Sequence, residues 1–107
     1  MSEKTMIVLF NLKDDDNFEK YEAWAKEVDI PIAGGLKSVD DFKVYRSQGL
    51  FGSDEKPPYQ YIEILHINNF DNLANDIQAE PRMSEVAQQF QNFAENPVFI
   101  VTEQLKK

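Results

Sequence analysis

Two segments near opposite ends of the chain are apolar at nearly all successive positions rather than at alternate ones. They are residues 6–12 (MIVLFNL) and residues 98–101 (VFIV). A strand with apolar side chains on both of its sides is typical of a sheet that is covered on both faces. Any fold for this chain must therefore provide cover on both sides of its sheet.

The first of these strands is followed by a predicted helix. Asp16 and Glu19 have the spacing of a capping box, so the helix is expected to begin near Asn17. It is expected to end before Pro31, because the residue that precedes a proline is pushed out of the helical region.

Two more strands and a second helical region follow. Residues 39–47 alternate with a period of two, and the run at 58–67 (PYQYIEILHI) is rich in β-branched and aromatic residues. Residues 70–94 have helical periodicity with an interruption at Pro81. Pro97 is expected to end this region, and the last strand to begin at residue 98.

The elements follow the order strand, helix, strand, strand, helix, strand, which is the ferredoxin-like βαββαβ pattern. We predict one α+β domain over residues 1–107, with a four-stranded, antiparallel-rich sheet and helices on one face only. The helix-free face then needs cover of its own, because both terminal strands are apolar on both sides. A second copy of the chain is the simplest cover, and we predict a homodimer packed sheet to sheet.

The composition argues against several classes of function. The net charge is −8 and the basic residues are scattered, which argues against a nucleic-acid surface. There is no cysteine and only one histidine, so we expect no disulfide, no metal site and no cofactor. The first residues lack the pattern of a secretory signal, and no apolar run approaches the length of a membrane span. We expect a cytoplasmic protein that binds neither nucleic acid nor membrane.

Glu63 is the charged residue in the middle of the predicted strand at 58–67. A buried carboxylate needs a hydrogen-bond donor, an opposite charge or a cavity that holds a ligand. Alternation puts Tyr61 on the same strand face as Glu63 and His66 on the opposite one, which argues against a direct dyad of Glu63 and His66. If this strand pairs with the one at 39–47, Arg46 is expected close to Tyr61 and Glu63.

Two interpretations of Glu63 follow. In the first, Glu63 forms an ion pair with Arg46, and both residues have a structural role only. In the second, Glu63 is the polar group of an apolar, aromatic-lined pocket, where burial raises its pKa and suits it to proton transfer.

Further residues are candidates for the same pocket. Trp24 and Tyr21 lie on the first predicted helix, where aromatic residues form either core or the wall of a small-molecule site. Asp29 is either a solvent-exposed acid at the end of this helix or a group at the pocket mouth. Asn11 is either a turn former or a polar pocket group.

Several segments have residues and spacing in common with one known family. They are 7–12 (IVLFNL), 21–25 (YEAWA), 29–31 (DIP), 42–46 (FKVYR), 57–65 (PPYQYIEIL) and 96–100 (NPVFI). Through them the chain resembles the HapK/RedY-like family over nearly its whole length. The resemblance implies a dimeric α/β barrel, a bacterial source and a place in the biosynthesis of prodiginine-type red pigments. It implies no settled reaction and no catalytic residues.

Three functions are consistent with these observations. The first is an enzyme that acts on a hydrophobic aromatic or pyrrolic intermediate by condensation, cyclisation or cofactor-free oxygenation. In it, Glu63 transfers protons with help from Arg46 or Asp29. Its substrate-binding residues would be Trp24, Tyr21, Tyr61 and Asn11. The second is a module that binds, carries or regulates without catalysis, and the third is a structural dimer whose pocket is filled by its own side chains.

Overall fold

Four strands form one antiparallel sheet in the computed structural model, which describes residues 3–106. The strands are β1 (Lys4–Leu12), β2 (Val39–Arg46), β3 (Tyr61–Ile67) and β4 (Ala94–Thr102), in the spatial order β2-β3-β1-β4. The helices are α1 (Phe18–Trp24) and α2 (Ile30–Ala33) between β1 and β2, and α3 (Phe70–Ala79) and α4 (Met83–Phe93) between β3 and β4. The predicted α+β, ferredoxin-like βαββαβ fold is confirmed.

The first helical connection begins with a capping side chain. Asp14 Oδ1 accepts a hydrogen bond from the backbone N–H of Asp16 at 3.0 Å, and a 3₁₀ turn, Asp15–Asn17, leads into α1. The helix therefore starts where the sequence predicts. The capping residue, however, is Asp14 and not Asp16, because the extra 3₁₀ turn moves the cap two residues earlier.

The same connection continues past Pro31, so the predicted end of the helix was wrong. A π turn, Ala25–Asp29, joins α1 to α2, and the Ile30 N–H donates to the carbonyl of Ala25 five residues earlier. Pro31 lies in the first turn of α2, where the missing N–H of proline is tolerated. The π turn changes the hydrogen-bonding pattern just before the proline and so allows the helical path to continue.

β3 begins at Tyr61 rather than at residue 58, because side chains hold the preceding residues against the end of β1. Asn11 Nδ2 donates to the carbonyl of Pro58 at 3.1 Å, and Asn11 Oδ1 accepts from the Gln60 N–H at 2.9 Å. The Leu12 N–H donates to Gln60 Oε1 at 2.6 Å. Asn11 therefore anchors the end of the loop between β2 and β3. It lies within β1 rather than in a turn, and both polar atoms of its side chain bind the loop.

β4 begins at Ala94, so that Pro97 lies inside a strand and does not mark its beginning. The strand is at the edge of the sheet, where a residue without an N–H is tolerated. Its register against β1 shifts between Leu9 and Asn11, and Asn96 has a φ of 47°, in the left-handed region. An edge position and a bulge thus accommodate two residues whose local pattern predicts a break.

Phe10 is the centre of an aromatic core on one face of the sheet. Its ring centroid lies 5.5 Å from that of Tyr21 in α1, 5.6 Å from that of Tyr61 in β3 and 5.0 Å from that of Phe90 in α4. Phe10 is completely buried. Because one ring contacts both helical connections, both of them lie on the same face of the sheet.

The opposite face of the sheet is largely apolar, although Lys43 and His66 also lie on it, and the helices do not cover it. Strand register places seven apolar side chains on it: Ile7, Leu9, Tyr45, Ile62, Ile64, Val98 and Ile100. Val98 and Ile100 are each 40 % exposed and Tyr45 is 47 % exposed. An exposed apolar area of this kind on a sheet is typical of an interaction surface.

We expect Phe10→Ala to destabilise the fold strongly, because it leaves a cavity among three rings that do not all move to fill it. The expected loss in the free energy of unfolding is about 3–5 kcal/mol, measured by urea denaturation. Phe51→Ala is the matched control, since Phe51 is fully exposed, and its expected effect is within about 0.5 kcal/mol. Equal losses in the two variants would contradict this assignment of the core.

Candidate functional site

A cavity of about 340 Å³ lies between the sheet and the helices α2, α3 and α4. Its lining is mostly aliphatic and includes Met6, Val8, Val39, Leu65, Leu73, Ile77, Met83, Val86 and Ala87, with the rings of Phe42, Phe90 and Phe99. The cavity lies where two buried apolar clusters meet, one around Phe10 and one around Phe42. Two carboxyl groups, those of Glu63 and Asp29, also line it. Its volume is in the range of small-molecule sites.

Glu63 lies on the central part of β3, on the face that packs against the helices. Its partners across the two neighbouring strands are Val8 in β1 and Val44 in β2, neither of which offers it a polar group. It is 5 % exposed, and the Tyr21 hydroxyl donates a hydrogen bond to its Oε2 at 3.3 Å. The same-face position of Glu63 and Tyr61 is as predicted, and both side chains are buried.

Asp29 is the last residue of the π turn and is also 5 % exposed. Because the helical path continues through Pro31, Asp29 is not a solvent-exposed acid at a helix end. Its side chain lines the cavity together with Glu63. Within residues 3–106, no ion pair includes either carboxyl group, and no side-chain hydrogen bond reaches the carboxyl group of Asp29.

Burial changes the protonation of both acids. It raises the pKa of Asp29 to about 7, since the charged form loses its contact with water. Burial and the nearby charge of Asp29 raise the pKa of Glu63 to about 8, although the hydrogen bond from Tyr21 acts in the opposite direction. Burial and these two carboxylates also raise the pKa of Tyr21, so Tyr21 stays a hydrogen-bond donor. Near neutral pH the two acids therefore hold protons that ordinary surface carboxylates have lost.

Arg46 does not pair with Glu63, so the predicted ion pair was wrong. Arg46 lies opposite Tyr61 in the strand register, and Val44 lies opposite Glu63. The guanidinium instead binds Glu22 of α1 through two hydrogen bonds, Nε to Oε2 at 2.6 Å and Nη2 to Oε1 at 2.7 Å. With the hydrogen bond from Tyr61, it lowers the pKa of Glu22 to about 2. The guanidinium of Arg46 therefore neutralises Glu22 and not Glu63.

The three predicted aromatic pocket residues pack against one another instead of lining the cavity. The ring centroids of Tyr21 and Tyr61 are 4.8 Å apart, and those of Tyr21 and Trp24 are 6.1 Å apart. Trp24 also packs on Phe93 at 5.4 Å and donates from Nε1 to Gln89 Oε1 at 2.7 Å. The rings thus form core beside the site. Only the hydroxyl of Tyr21 reaches one of the cavity's polar groups.

The aliphatic wall of the cavity was not recognised as such from the sequence. Met83, Val86 and Phe90 have the spacing of one face of an amphipathic helix, which predicts only that this face is buried. The same pattern fits a face packed against other side chains and a face that borders a cavity. No sequence signal distinguishes the two, because the empty volume depends on how far α4 stands from the sheet.

Other types of site are not found in the part of the chain that the structure describes. No group of three or more potential metal-ligating side chains occurs within residues 3–106. None of the described helices is long and apolar enough to cross a membrane. His66 is exposed on the face away from Glu63, and its Nδ1 lies 3.3 Å from the hydroxyl of Thr5.

Comparisons with known proteins identify relatives of this chain. A family model for REDY-like protein HapK matches residues 4–105. The crystal structure of HapK from Hahella chejuensis is 25% identical to the chain, with a TM-score of 0.76 over 97% of this chain and 94% of that one. No curated protein sequence matches the chain.

Two more distant structures share the fold alone. A dimeric ferredoxin-like protein of unknown function from Jannaschia sp. CCS1 is 10% identical, with a TM-score of 0.71 over 95% of this chain and 99% of that one. SnoaB, a cofactor-independent oxygenase from Streptomyces nogalater, is 12% identical, with a TM-score of 0.70 over 100% of this chain and 97% of that one.

The raised pKa values predict how stability depends on pH. The folded protein keeps protons on Glu63 and Asp29 that the unfolded chain releases above about pH 4. The free energy of unfolding should therefore fall as the pH rises from about 5 to 8. Glu63→Gln should remove most of the part of this fall that Glu63 causes. That part is on the order of 2–4 kcal/mol in the free energy of unfolding between about pH 5 and 8.

Urea denaturation at pH 5, 7 and 8.5 measures this effect. Glu19→Gln is the control because Glu19 is exposed on α1, and it should keep the pH dependence of the wild type. A Glu63→Gln variant whose stability still falls as steeply with pH as that of the wild type would contradict the assignment.

Proposed function

Because the chain belongs to the REDY-like HapK family, we propose that it binds a small, apolar aromatic molecule in the cavity beside Glu63 and acts on it during red-pigment biosynthesis of the prodiginine type. A pyrrolic intermediate is the ligand class that this pathway offers. The observation that carries the proposal is Glu63 itself, a buried acid without a cation that lines an apolar cavity. In this proposal, the bound ligand supplies the partner of the Glu63 carboxyl group.

Proton transfer is the chemistry that the site supports. An acid whose pKa lies near the working pH is suited to give and take protons, and the pKa of Glu63 is raised to about 8. Tyr21 holds one oxygen of this carboxyl group, and Asp29 is the second group that can exchange protons in the cavity. Condensation or cyclisation of an aromatic intermediate needs such transfers. Cofactor-free oxygenation needs them also, because it begins with removal of a proton from the substrate.

Arg46 has no part in this mechanism, because its guanidinium is bound by Glu22. Trp24 and Tyr61 act by supporting the wall behind Glu63, through Tyr21, and not by stacking on the ligand. The aliphatic side chains and the phenylalanine rings of the cavity lining make the contact with the ligand's rings instead. Asn11 acts at a distance, by anchoring the loop that precedes β3.

A carrier or regulatory module is the second candidate function. The described residues that line the cavity include no serine, cysteine, lysine or histidine, the side chains most often used for covalent catalysis. A site of this kind is also suited to holding a ligand without changing it. A structural dimer with a filled pocket is the weakest of the three, because the aromatic core is closely packed and the cavity is still open.

Glu63→Gln separates catalysis from binding. We expect turnover of a pyrrolic pathway intermediate by the purified protein to fall about 10²- to 10⁴-fold, because general acid–base catalysis of this size depends on the titrating group. Glu27→Gln is the control, as Glu27 is exposed on the π turn. Ala87→Trp should weaken binding by narrowing the cavity. A folded Glu63→Gln variant with full turnover would contradict the proton-transfer mechanism. Binding without turnover by the wild-type protein would favour the carrier function.

We also propose that two copies of the chain associate through the helix-free face of the sheet and work in the cytoplasm, away from nucleic acid and membranes. The seven apolar side chains on this face support the dimer, and the net charge of −8 supports the absence of nucleic acid. Two sheets packed in this way would form the dimeric barrel that the family resemblance implies.

Ile100→Lys tests this dimer, because it places a charge on the apolar face that forms the proposed interface. Light scattering should give twice the chain mass of 12.4 kDa for the wild type and a single chain mass for the variant. Leu50→Lys is the control, since Leu50 is exposed in the loop between β2 and β3 and lies outside this face. A monomeric wild type at micromolar concentration would contradict the proposal.

A further inference from the structure

Asp29 and Glu63 are two acids that line one cavity. Each is 95 % buried, and both line the same apolar volume. In the part of the chain that the structure describes, no lysine, arginine or histidine pairs with either of them. Buried acids are normally paired or hydrogen-bonded, and within residues 3–106 the carboxyl group of Asp29 has no ion-pair partner and no side-chain hydrogen bond.

The residues around Asp29 and Glu63 do not supply the missing positive charge. β1 and β2 place Val8 and Val44 beside Glu63, and the lining from α3 and α4 is apolar apart from Gln91. The titratable groups that face the pair are Tyr21 of α1 and, behind it, Tyr61 of β3, and both are neutral hydrogen-bond donors. Among the described strands and helices, none that packs against the pair presents a positive charge to it.

Two carboxyl groups in such a volume do not both ionise at neutral pH. Each charge raises the cost of the other, and burial raises the cost of both. The pair can hold a proton, or it can release that proton and accept a positive charge in its place. A ligand whose nitrogen carries this charge supplies both the missing cation and hydrogen-bond donors, and its apolar remainder fits the aliphatic wall.

We propose that Asp29 and Glu63 act as one unit that recognises a protonated nitrogen, so that the cavity selects an apolar aromatic amine or nitrogen base over a neutral molecule of the same shape. Binding of the cation displaces a proton from the pair to the solvent. This inference rests on the proposed function, since it requires that the cavity binds a small molecule. It adds the chemical class of the ligand and assigns a binding role to Asp29.

Naphthalen-1-ylmethanamine and naphthalen-1-ylmethanol are a matched pair of probes, because they have nearly the same shape and only the amine is protonated at pH 7. We expect titration calorimetry with the wild-type protein to give roughly 10- to 100-fold tighter binding of the amine, the range expected for a charge-assisted hydrogen bond. Calorimetry in two buffers with different ionisation enthalpies should show release of up to one proton with the amine and none with the alcohol.

Asp29→Asn and Glu63→Gln should each reduce the preference for the amine and the release of protons, and the double variant should bind both probes equally. Glu27→Gln keeps the wild-type preference as the control. The measurement of proton release on the wild type does not depend on whether the variants fold. Equal binding of the two probes by the wild type would overturn this inference and leave the proposed cavity function intact. If neither probe binds to the wild-type protein, both this inference and the proposed cavity function are overturned.

Discussion

The register of β3 against its two neighbours determines where the polar groups of this protein lie. Val8 and Val44 flank Glu63 across the sheet, so the acid has no partner within the strands. A shift of one residue would turn Glu63 to the helix-free face, and a shift of two would bring Arg46 opposite it. In the register that forms, Arg46 binds Glu22 outside the cavity and the carboxyl group of Glu63 stays available inside it.

The register alone would leave a costly buried acid, and the surrounding structure reduces this cost in two ways. The raised pKa lets Glu63 keep its proton near neutral pH, so that a charge is not buried. The hydroxyl of Tyr21 satisfies one carboxyl oxygen. Tyr21 is held in place by the rings of Phe10, Tyr61 and Trp24, so the aromatic core supports the position of the hydroxyl that binds Glu63. The ring of Tyr21 thus packs in the aromatic core, while its hydroxyl binds the carboxyl group of Glu63.

The π turn determines where Asp29 lies, just as the register of β3 determines where Glu63 lies. A regular helix that ended before Pro31 would leave Asp29 at its C-terminus, where contact with water and the helix dipole act on it. The wider turn allows the chain to pass the proline as a helix and to bury Asp29 at the wall of the cavity. π turns of this kind are frequent at functional sites. The burial of Asp29 therefore results from an irregularity of the backbone, whereas the burial of Glu63 results from the register of β3.

Most of the fold follows from patterns that are local in the chain. Strand alternation, helical periodicity and the order of elements lead to a ferredoxin-like sheet, and alternation correctly puts Glu63 on the side of Tyr61. The local rules fail at Pro31 and Pro97. Each rule treats a proline as a break, and the structure has a π turn before the first and an edge strand with a bulge around the second. These alternatives depend on neighbours that are distant in sequence.

The sequence by itself determined that a carboxyl group would be buried in a central strand, that it would lack a histidine partner, and that the sheet would be apolar on both faces. Only the tertiary structure decided that Arg46 binds Glu22 and that Asp29 joins Glu63. It also decided that mostly aliphatic side chains, and not the three aromatic residues predicted for the pocket, enclose the cavity. The physical reason is that composition and period specify which face of an element is buried. The distance between packed elements, which separates a filled core from an open cavity, depends on every side chain between them.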